Sequence, residues 1–309
     1  MTAFLAELGT KVADRWLGLL VLPGLLWTAA LAAGVELGQD RALDVLRLRA
    51  LLGRVADDPA SHSGATVLLA AAAVLLVSAA AGLAASALGG LFQRLWTLPG
   101  EFGPAAWLLS WRQLRWDRAT VLLRTAIAGA AQPGAHRLEP GEASRLARRA
   151  QRRRARLGPV RPGRPTRVGD RYLATAQRVR DHNRLDLELA WPRLWAVLPE
   201  AFRSDLTTAQ DAYAGTARLA GWGVLYLVLA AVWWPAALVG ATVLLASAVR
   251  TRGCADALAG RVEAAVDLYT GELATRLGLP AVPGTAELGR AVNNRLGVPA
   301  PPPVPPPQQ

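Results

Sequence analysis

Long runs without a charged residue alternate with arginine-rich segments along this chain of 309 residues. The first two runs cover residues 16–35 and 59–93, and the apolar part of the second is 65–91. A helix needs about 20 apolar residues to cross the hydrocarbon core of a bilayer. Both runs are therefore predicted transmembrane helices, and residues 1–15 are predicted to form a short interfacial helix before them.

A third uncharged run, residues 219–249, is too long for one untilted span and short for two ordinary ones. A Trp-Trp-Pro sequence that begins at Trp233 lies near its centre. Paired tryptophans favour the headgroup level and proline ends a helix, so the run is predicted to form two short spans, 218–233 and 236–250. The alternative is a single span, which would place the C-terminal tail across the membrane.

The pattern predicts an all-α integral membrane protein with about four transmembrane helices in two pairs and an arginine-rich helical cytoplasmic region. The first run has an alternative interpretation as a cleaved signal peptide, because Ala30-Leu31-Ala32 resembles a small-residue cleavage site. Five segments are predicted: an interfacial helix with the first pair of spans (1–93), a basic region (94–216), a second hairpin (217–250), amphipathic cytoplasmic helices (251–298) and a proline-rich tail (299–309).

Small residues recur at every fourth position of the second run. Such a ridge lets another helix approach closely, although alanine-rich helices also contain such ridges by chance. Packing within the chain is preferred over homodimerisation, and a homo-oligomeric channel is an alternative function. The candidate helix-packing residues are Ser78, Gly82, Ser86 and Gly90.

The region after the second run opens with a predicted helix over residues 103–130 that carries an aromatic face. An aromatic face bordered by arginines is typical of a helix in the headgroup region. The alternative is a core face of a cytoplasmic helical domain. The face and its bordering arginines are Trp107, Trp111 and Leu114 with Arg112 and Arg115.

Net charge is +12, and nearly all of the excess lies between residues 92 and 216. Lys11 is the only lysine among 35 basic residues, so part of the arginine usage reflects the coding bias of a high-GC bacterium. The basic stretch 145–167 fits anionic lipid headgroups, a cytoplasmic protein partner, or a topogenic role alone. Nucleic acid is disfavoured because no base-stacking motif accompanies the arginines. The candidate contacts are Arg148, Arg149, Arg152, Arg153 and Arg154.

Two further helices are predicted before the third run. Thr166 is expected to cap a helix that ends near Asn183. The helix over 185–198 contains a Trp-Pro-Arg-Leu-Trp sequence, whose candidate partner contacts are Trp191, Arg193 and Trp195. In the tail, an amphipathic helix is expected to end at Gly278, a shorter helix follows over 286–296, and residues 299–309 are an exposed polyproline II segment.

Near-membrane arginines place the loop 92–216 in the cytoplasm, because cytoplasmic loops carry an excess of basic residues. These arginines are Arg94, Arg112, Arg115 and Arg218. An even number of spans then puts both termini on the same side of a bacterial plasma (inner) membrane.

No phosphate-binding, zinc-protease or serine-hydrolase motif occurs, and no metal site or cofactor is predicted. The single Cys254 excludes an internal disulfide. The densest polar cluster surrounds His182 and Asp186, which lie four residues apart and are expected to form a surface ion pair on one helix face.

The stretch 185–199, with Arg164-Pro165-Thr166 before it and residues 264–269 in the tail, resembles recurring segments of uncharacterised bacterial, largely actinobacterial, multi-pass membrane proteins. The resemblance implies a membrane location and no particular activity. Asn183-Arg184 departs from the Tyr-Gly pair more usual there.

The leading functional hypothesis is a non-enzymatic scaffold or sensor that presents the basic region to a partner or to anionic lipid. A homo-oligomeric channel is the first alternative. A membrane enzyme is the second, with Asp186, Glu188 and Arg193 as the groups to test.

Overall fold

The computed structural model describes residues 21–47, 49–50, 53, 63–101, 103–131, 145, 148–152, 161–280 and 284–297. The predicted interfacial helix, Arg153, Arg154 and the proline-rich tail lie outside the described residues, as does the start of the first predicted span.

The described residues contain eight α-helices longer than ten residues and no strand, which confirms the all-α prediction. The helices are α1 (Leu22–Leu37), α2 (Gly64–Thr97), α3 (Gly103–Ala131), α4 (Arg167–Asn183), α5 (Leu187–Val197), α6 (Glu200–Leu229), α7 (Pro235–Arg276) and α8 (Thr285–Arg295).

Two helices, α2 and α7, are long and apolar enough to cross a membrane by length and composition, and α1 is apolar but shorter. Only 17% of the most apolar window of each long helix is buried within the chain, whereas the core helix of a soluble protein is mostly buried. The membrane prediction is therefore supported at the level of two candidate spans among the described residues.

The third uncharged run is divided between two helices, as the sequence predicted. The break lies between Leu229 and Pro235, where the backbone forms a turn. Gln39 holds this turn: its amide nitrogen donates to the carbonyl oxygens of Ala230 and Ala231 at 2.8 Å, and its amide oxygen accepts from Trp234 N at 3.0 Å.

Both helices extend beyond the predicted spans. α6 already begins at Glu200, and α7 continues to Arg276 instead of ending near residue 250. Neither continuation contains proline, and alanine and arginine are good helix formers, so nothing in the local sequence ends either helix where its charge pattern changes. The end of α7 agrees with the sequence, because Gly278 follows it with a φ of 71°.

The chain divides into two compact units. Unit 1 comprises Met1–Gln93 and Gln210–Cys254, and unit 2 comprises Arg94–Ala209 and Ala255–Gln309. The helices α2, α6 and α7 each have residues in both units.

Unit 1 packs its helices through small residues. A Cβ added to Gly24 of α1 would meet the backbone of Ser78 in α2, and one added to Gly221 of α6 would meet the carbonyl of Ala85 in α2. Both would come closer than the 3.0 Å that real Cβ atoms keep. These helices therefore lie in backbone contact, as small-residue packing predicts.

Hydroxyl groups join α6 to α7 inside unit 1. The Ser247 hydroxyl donates to the carbonyl oxygen of Thr216 at 2.8 Å, and the Thr251 hydroxyl lies 3.0 Å from the Thr216 hydroxyl. All three side chains are buried. Their polar atoms are satisfied between helices, which an apolar environment requires.

Unit 2 buries larger aliphatic side chains. The largest fully buried aliphatic side chains of the described residues all belong to it: Leu185, Leu194, Leu198, Leu206, Leu273, Val266 and Val292. Thr166 caps α4 as predicted, because its hydroxyl accepts from Gly169 N at 3.0 Å and also donates to the carbonyl oxygen of Trp96.

Candidate functional site

The predicted small-residue ridge on α2 is only partly the packed face. Ser78 and Gly82 are buried, and the Ser78 hydroxyl lies 3.1 Å from that of Thr28 in α1. Gly90 is exposed, with open space where a Cβ would be, and Gly89 is buried beside the backbone of Arg218 instead. The four-residue spacing drifts around a helix of 3.6 residues per turn, so the contact surface moves to the neighbouring glycine.

Ser86, a predicted packing residue, makes a hydrogen bond within its own helix. Its hydroxyl donates to the carbonyl oxygen of Gly82 at 2.9 Å within α2. Ser78 therefore contacts α1 and Gly89 contacts α6, both within the same chain.

The predicted basic contacts are exposed. Arg148, Arg149 and Arg152 lie in a helical segment, 148–152, and all three side chains are exposed. Their positions cover only about 100° of the helix circumference. Three guanidinium groups therefore project from one side of this segment into solvent.

The Trp-Pro-Arg-Leu-Trp sequence lies in α5 and serves partly as core. Leu194 is fully buried, while Trp191 and Trp195 are half-buried with ring centroids 6.1 Å apart. Arg193 is exposed and donates to the carbonyl oxygen of Leu189 at 2.8 Å within the helix. Pro192 lies inside α5, beyond its first turn.

The expected ion pair between His182 and Asp186 is wrong. α4 ends at Asn183, and Arg184 follows with a φ of 51°, so the two residues do not share one helix. Asp186 instead caps α5, accepting from Glu188 N at 3.1 Å. The predicted end of the first helix near Asn183 is confirmed, and the expectation of a shared helix face across that end was the error.

The C-terminal helix α8 is fixed to this break by Asn293. Its amide oxygen accepts from Asp186 N at 3.0 Å, and its amide nitrogen donates to the carbonyl oxygen of Arg184 at 2.8 Å. Gly289 lies against the carbonyl of Asn183, where any Cβ would overlap the backbone. Sequence reasoning missed this junction because its partners are more than 100 residues apart.

A second group that the sequence did not reveal surrounds Glu263 of α7. One carboxylate oxygen accepts from Arg171 at 2.8 Å and from Thr175 at 2.9 Å, and the other accepts from Arg178. Burial alone would raise the pKa of Glu263, but the hydrogen bonds from Arg171 and Thr175, the charge of Arg171 and the bond from Arg178 lower it below 4.5. Asp256 adds a pair to Arg171 at 3.2 Å.

Arg112 does not border the aromatic face of α3, contrary to the sequence prediction. Its guanidinium is only 15% exposed and bonds Asp170 at 2.7 Å and the carbonyl oxygen of Arg164. The other carboxylate oxygen of Asp170 accepts from the backbone nitrogens of Gly163 and Arg164 at 2.8 Å. This arginine holds the segment before α4 and is not available to lipid.

The aromatic face itself is exposed, so the described residues do not cover it as a core face. Trp107 is 68% exposed, Trp111 45% and Leu114 54%. The guanidinium of Arg115 lies 4.6 Å from the ring centroid of Trp111. We call the exposed residues Trp107, Trp111, Leu114, Val121 and Leu122 the outer face of α3.

The described residues contain no group of three or more His, Cys, Asp or Glu side chains that could hold a metal ion. No protein-family model, curated protein or solved structure matches the chain.

Proposed function

We propose that the chain is a four-span protein of a bacterial inner membrane that acts as a non-enzymatic scaffold for an acidic cytoplasmic partner. The proposed spans are residues 16–35, the apolar part of α2 (65–91), the apolar end of α6 and the apolar start of α7. The loop 92–216 and both termini are on the cytoplasmic side.

The membrane placement is supported by the way unit 1 buries polar side chains and exposes apolar ones. Its buried residues include Ser78 and Ser247, while Leu68, Leu76 and Leu245 are 72%, 71% and 67% exposed. A water-soluble unit would bury such leucines, because each contributes roughly 2 kcal/mol when removed from water. Lipid is the solvent in which this arrangement is stable.

The orientation is supported by arginines at one end of the spans. Arg94 follows the apolar part of α2, Arg218 precedes that of α6, and Arg250 follows that of α7. Basic residues near the ends of spans favour the cytoplasmic side.

The scaffold role rests on one observation, the exposed cationic side formed by Arg148, Arg149 and Arg152. Charged surfaces of one sign attract partners of the opposite sign and speed their encounter. The three groups proposed for an enzyme are not arranged as a reactive centre: Asp186 caps a helix, Arg193 bonds its own helix, and Glu188 is exposed.

Topology is tested by single cysteines introduced after Cys254 is replaced by alanine. We expect a cysteine at Ser63 to react with a membrane-impermeant maleimide from outside intact spheroplasts. A cysteine at Gln177, exposed on α4, should react only in inverted vesicles. Labelling of both positions from the same side would refute the four-span topology.

The scaffold role is tested by a photo-crosslinking residue at position 149 in living cells, with position 177 as the matched exposed control. We expect a discrete protein adduct at 149 that is identified by mass spectrometry and is absent at 177. Replacing Arg148 and Arg152 by glutamate should abolish it. Adducts to lipid alone would show that the cationic side serves the membrane and would overturn the scaffold proposal.

A further inference from the structure

Helix α3 is apolar on two opposite sides. Its inner side packs within unit 2: Ala119 is buried, and Leu109 lies against Gly100, where a Cβ would overlap its side chain. Gln113 on this side donates to the carbonyl oxygen of Pro162 at 3.0 Å. The inner side is therefore what attaches α3 to the rest of the unit.

The outer face has no such occupant within the described chain. Its two ends, Trp107 and Leu122, are 68% and 52% exposed and lie about 22 Å apart along the helix axis. An exposed, mainly apolar helix face of this length is typical of a partner or membrane contact.

The charged groups around the outer face favour an anionic occupant. Arg115 lies beside Trp111, and Arg118 is exposed among the apolar residues of the face. The carboxylate of Asp117 is paired to Arg161 at 3.0 Å. Its negative charge is therefore offset, and the face presents arginines beside tryptophans.

The chain also fixes how far α3 can lie from the end of α2. Only residues 98–102 separate Thr97 from Gly103, and an extended chain advances about 3.5 Å per residue. The start of α3 therefore lies within roughly 20 Å of the charged end of a proposed span. Tryptophan rings and arginine side chains of this kind settle at the boundary between headgroups and acyl chains.

We infer that the outer face of α3 docks on the anionic headgroup layer of the membrane that α2 crosses. This inference rests on the proposed membrane placement and adds a lipid-binding surface to it. The tryptophans and leucines enter the boundary of the acyl chains, and Arg115 and Arg118 bind lipid phosphates. The cationic segment 148–152 is then left for the protein partner.

The test uses the full chain in vesicles with varied phosphatidylglycerol content. A cysteine at Leu114, in the Cys254→Ala background, carries an environment-sensitive fluorophore, and Val121 provides a second label site. The matched control is the same fluorophore at Gln177. Quenching is measured with aqueous iodide and with lipids that carry a nitroxide near the headgroup.

We expect the label at 114 or 121 to be shielded from iodide and quenched by the shallow nitroxide when phosphatidylglycerol is present. The label at 177 should remain accessible to iodide. Replacing Arg115 and Arg118 by glutamine should lower the ratio of docked to undocked helix by about 5-fold for each arginine removed.

Equal iodide access at 114, 121 and 177 in every lipid mixture would overturn the inference. So would shielding that follows the protein-to-lipid ratio and not the phosphatidylglycerol content, because a second copy of the chain would then cover the face. A chain that alkaline carbonate extracts from the vesicles would refute the membrane placement itself, whereas a retained chain with an exposed outer face refutes only lipid docking.

Discussion

Replacement of Glu263 by glutamine tests whether unit 2 depends on its cluster of ion pairs. Glutamine keeps the shape and one acceptor oxygen of the carboxylate but removes the charge that faces Arg171 and Arg178. The Glu263 side chain is 12% exposed, Arg171 29% and Arg178 54%. The carboxylate of Glu263 is therefore mostly shielded from water, whereas about half of the Arg178 side chain is exposed to it.

The expected loss follows from these exposures. Hydrogen bonds to a charged group contribute about 1.5–3 kcal/mol each, and exposed pairs contribute below about 1 kcal/mol. The well-shielded bonds are those to Arg171 and Thr175, so we expect Glu263→Gln to lower the free energy of unfolding of unit 2 by about 2 kcal/mol at pH 7.

The matched control is Glu272→Gln on the same helix. Glu272 is 45% exposed, and its partner Arg276 is 70% exposed at 3.8 Å. Solvent screens such a pair, so the loss should stay below about 0.5 kcal/mol. Hydrogen exchange of the α4 amides, corrected for intrinsic rates, measures the opening free energy in both variants.

We also expect the loss of stability caused by Glu263→Gln to depend on pH. The pKa of Glu263 is lowered in the folded protein, so its carboxylate contributes stability that is present above the ordinary value of 4.5 and is lost as pH falls through the lower folded value. The difference between wild type and Glu263→Gln should therefore shrink below about pH 4. A difference near zero at pH 7, or one that persists unchanged at pH 3, would refute the reasoning.

Two further predictions concern helix contacts. Gly221→Ala should destabilise unit 1 by about 1–3 kcal/mol, because its Cβ would overlap the carbonyl of Ala85, whereas Gly215→Ala on the same helix meets open space and should be neutral or slightly stabilising. Thermal unfolding in detergent measures both, and equal shifts would contradict the packing argument. Asn293→Ala should cost about 1–2 kcal/mol and speed amide exchange in α8, while Asn294→Ala at the neighbouring exposed position should not. Identical exchange in the two asparagine variants would show that α8 does not need this bond.

Local sequence signals were sufficient for most helix positions. Thr166 supplies a hydroxyl for the start of α4, Gly278 supplies a left-handed residue after α7, and Pro235 begins that helix after a turn. Each signal acts through the backbone within a few residues, so no tertiary information is needed to recognise it.

Contacts between distant residues could not be predicted in the same way. Glu263 meets three groups that lie 85 to 92 residues earlier, and nothing in the periodicity of α7 indicates them. The orientation of Arg112 was missed for a related reason. Its helix is apolar on two sides, so the sequence does not say which side is covered, and the arginine was assigned to the wrong one.

The two units are stabilised by different forces, and this difference explains which substitutions should harm each. Unit 1 brings its helices together through glycines and buried hydroxyls around a small apolar cluster of Ala81, Ala85 and Trp222, so it depends on close backbone contact. A single Cβ at Gly221 is then a larger perturbation than the loss of an exposed leucine. Unit 2 buries leucines and joins α4 to α7 by ion pairs. Removing the charge of Glu263 is therefore expected to lower the stability of this unit. Helices α6 and α7 each have one part in unit 1 and another part in unit 2. The loss of stability caused by a given substitution should therefore change along each helix, near Gln210 in α6 and near Cys254 in α7.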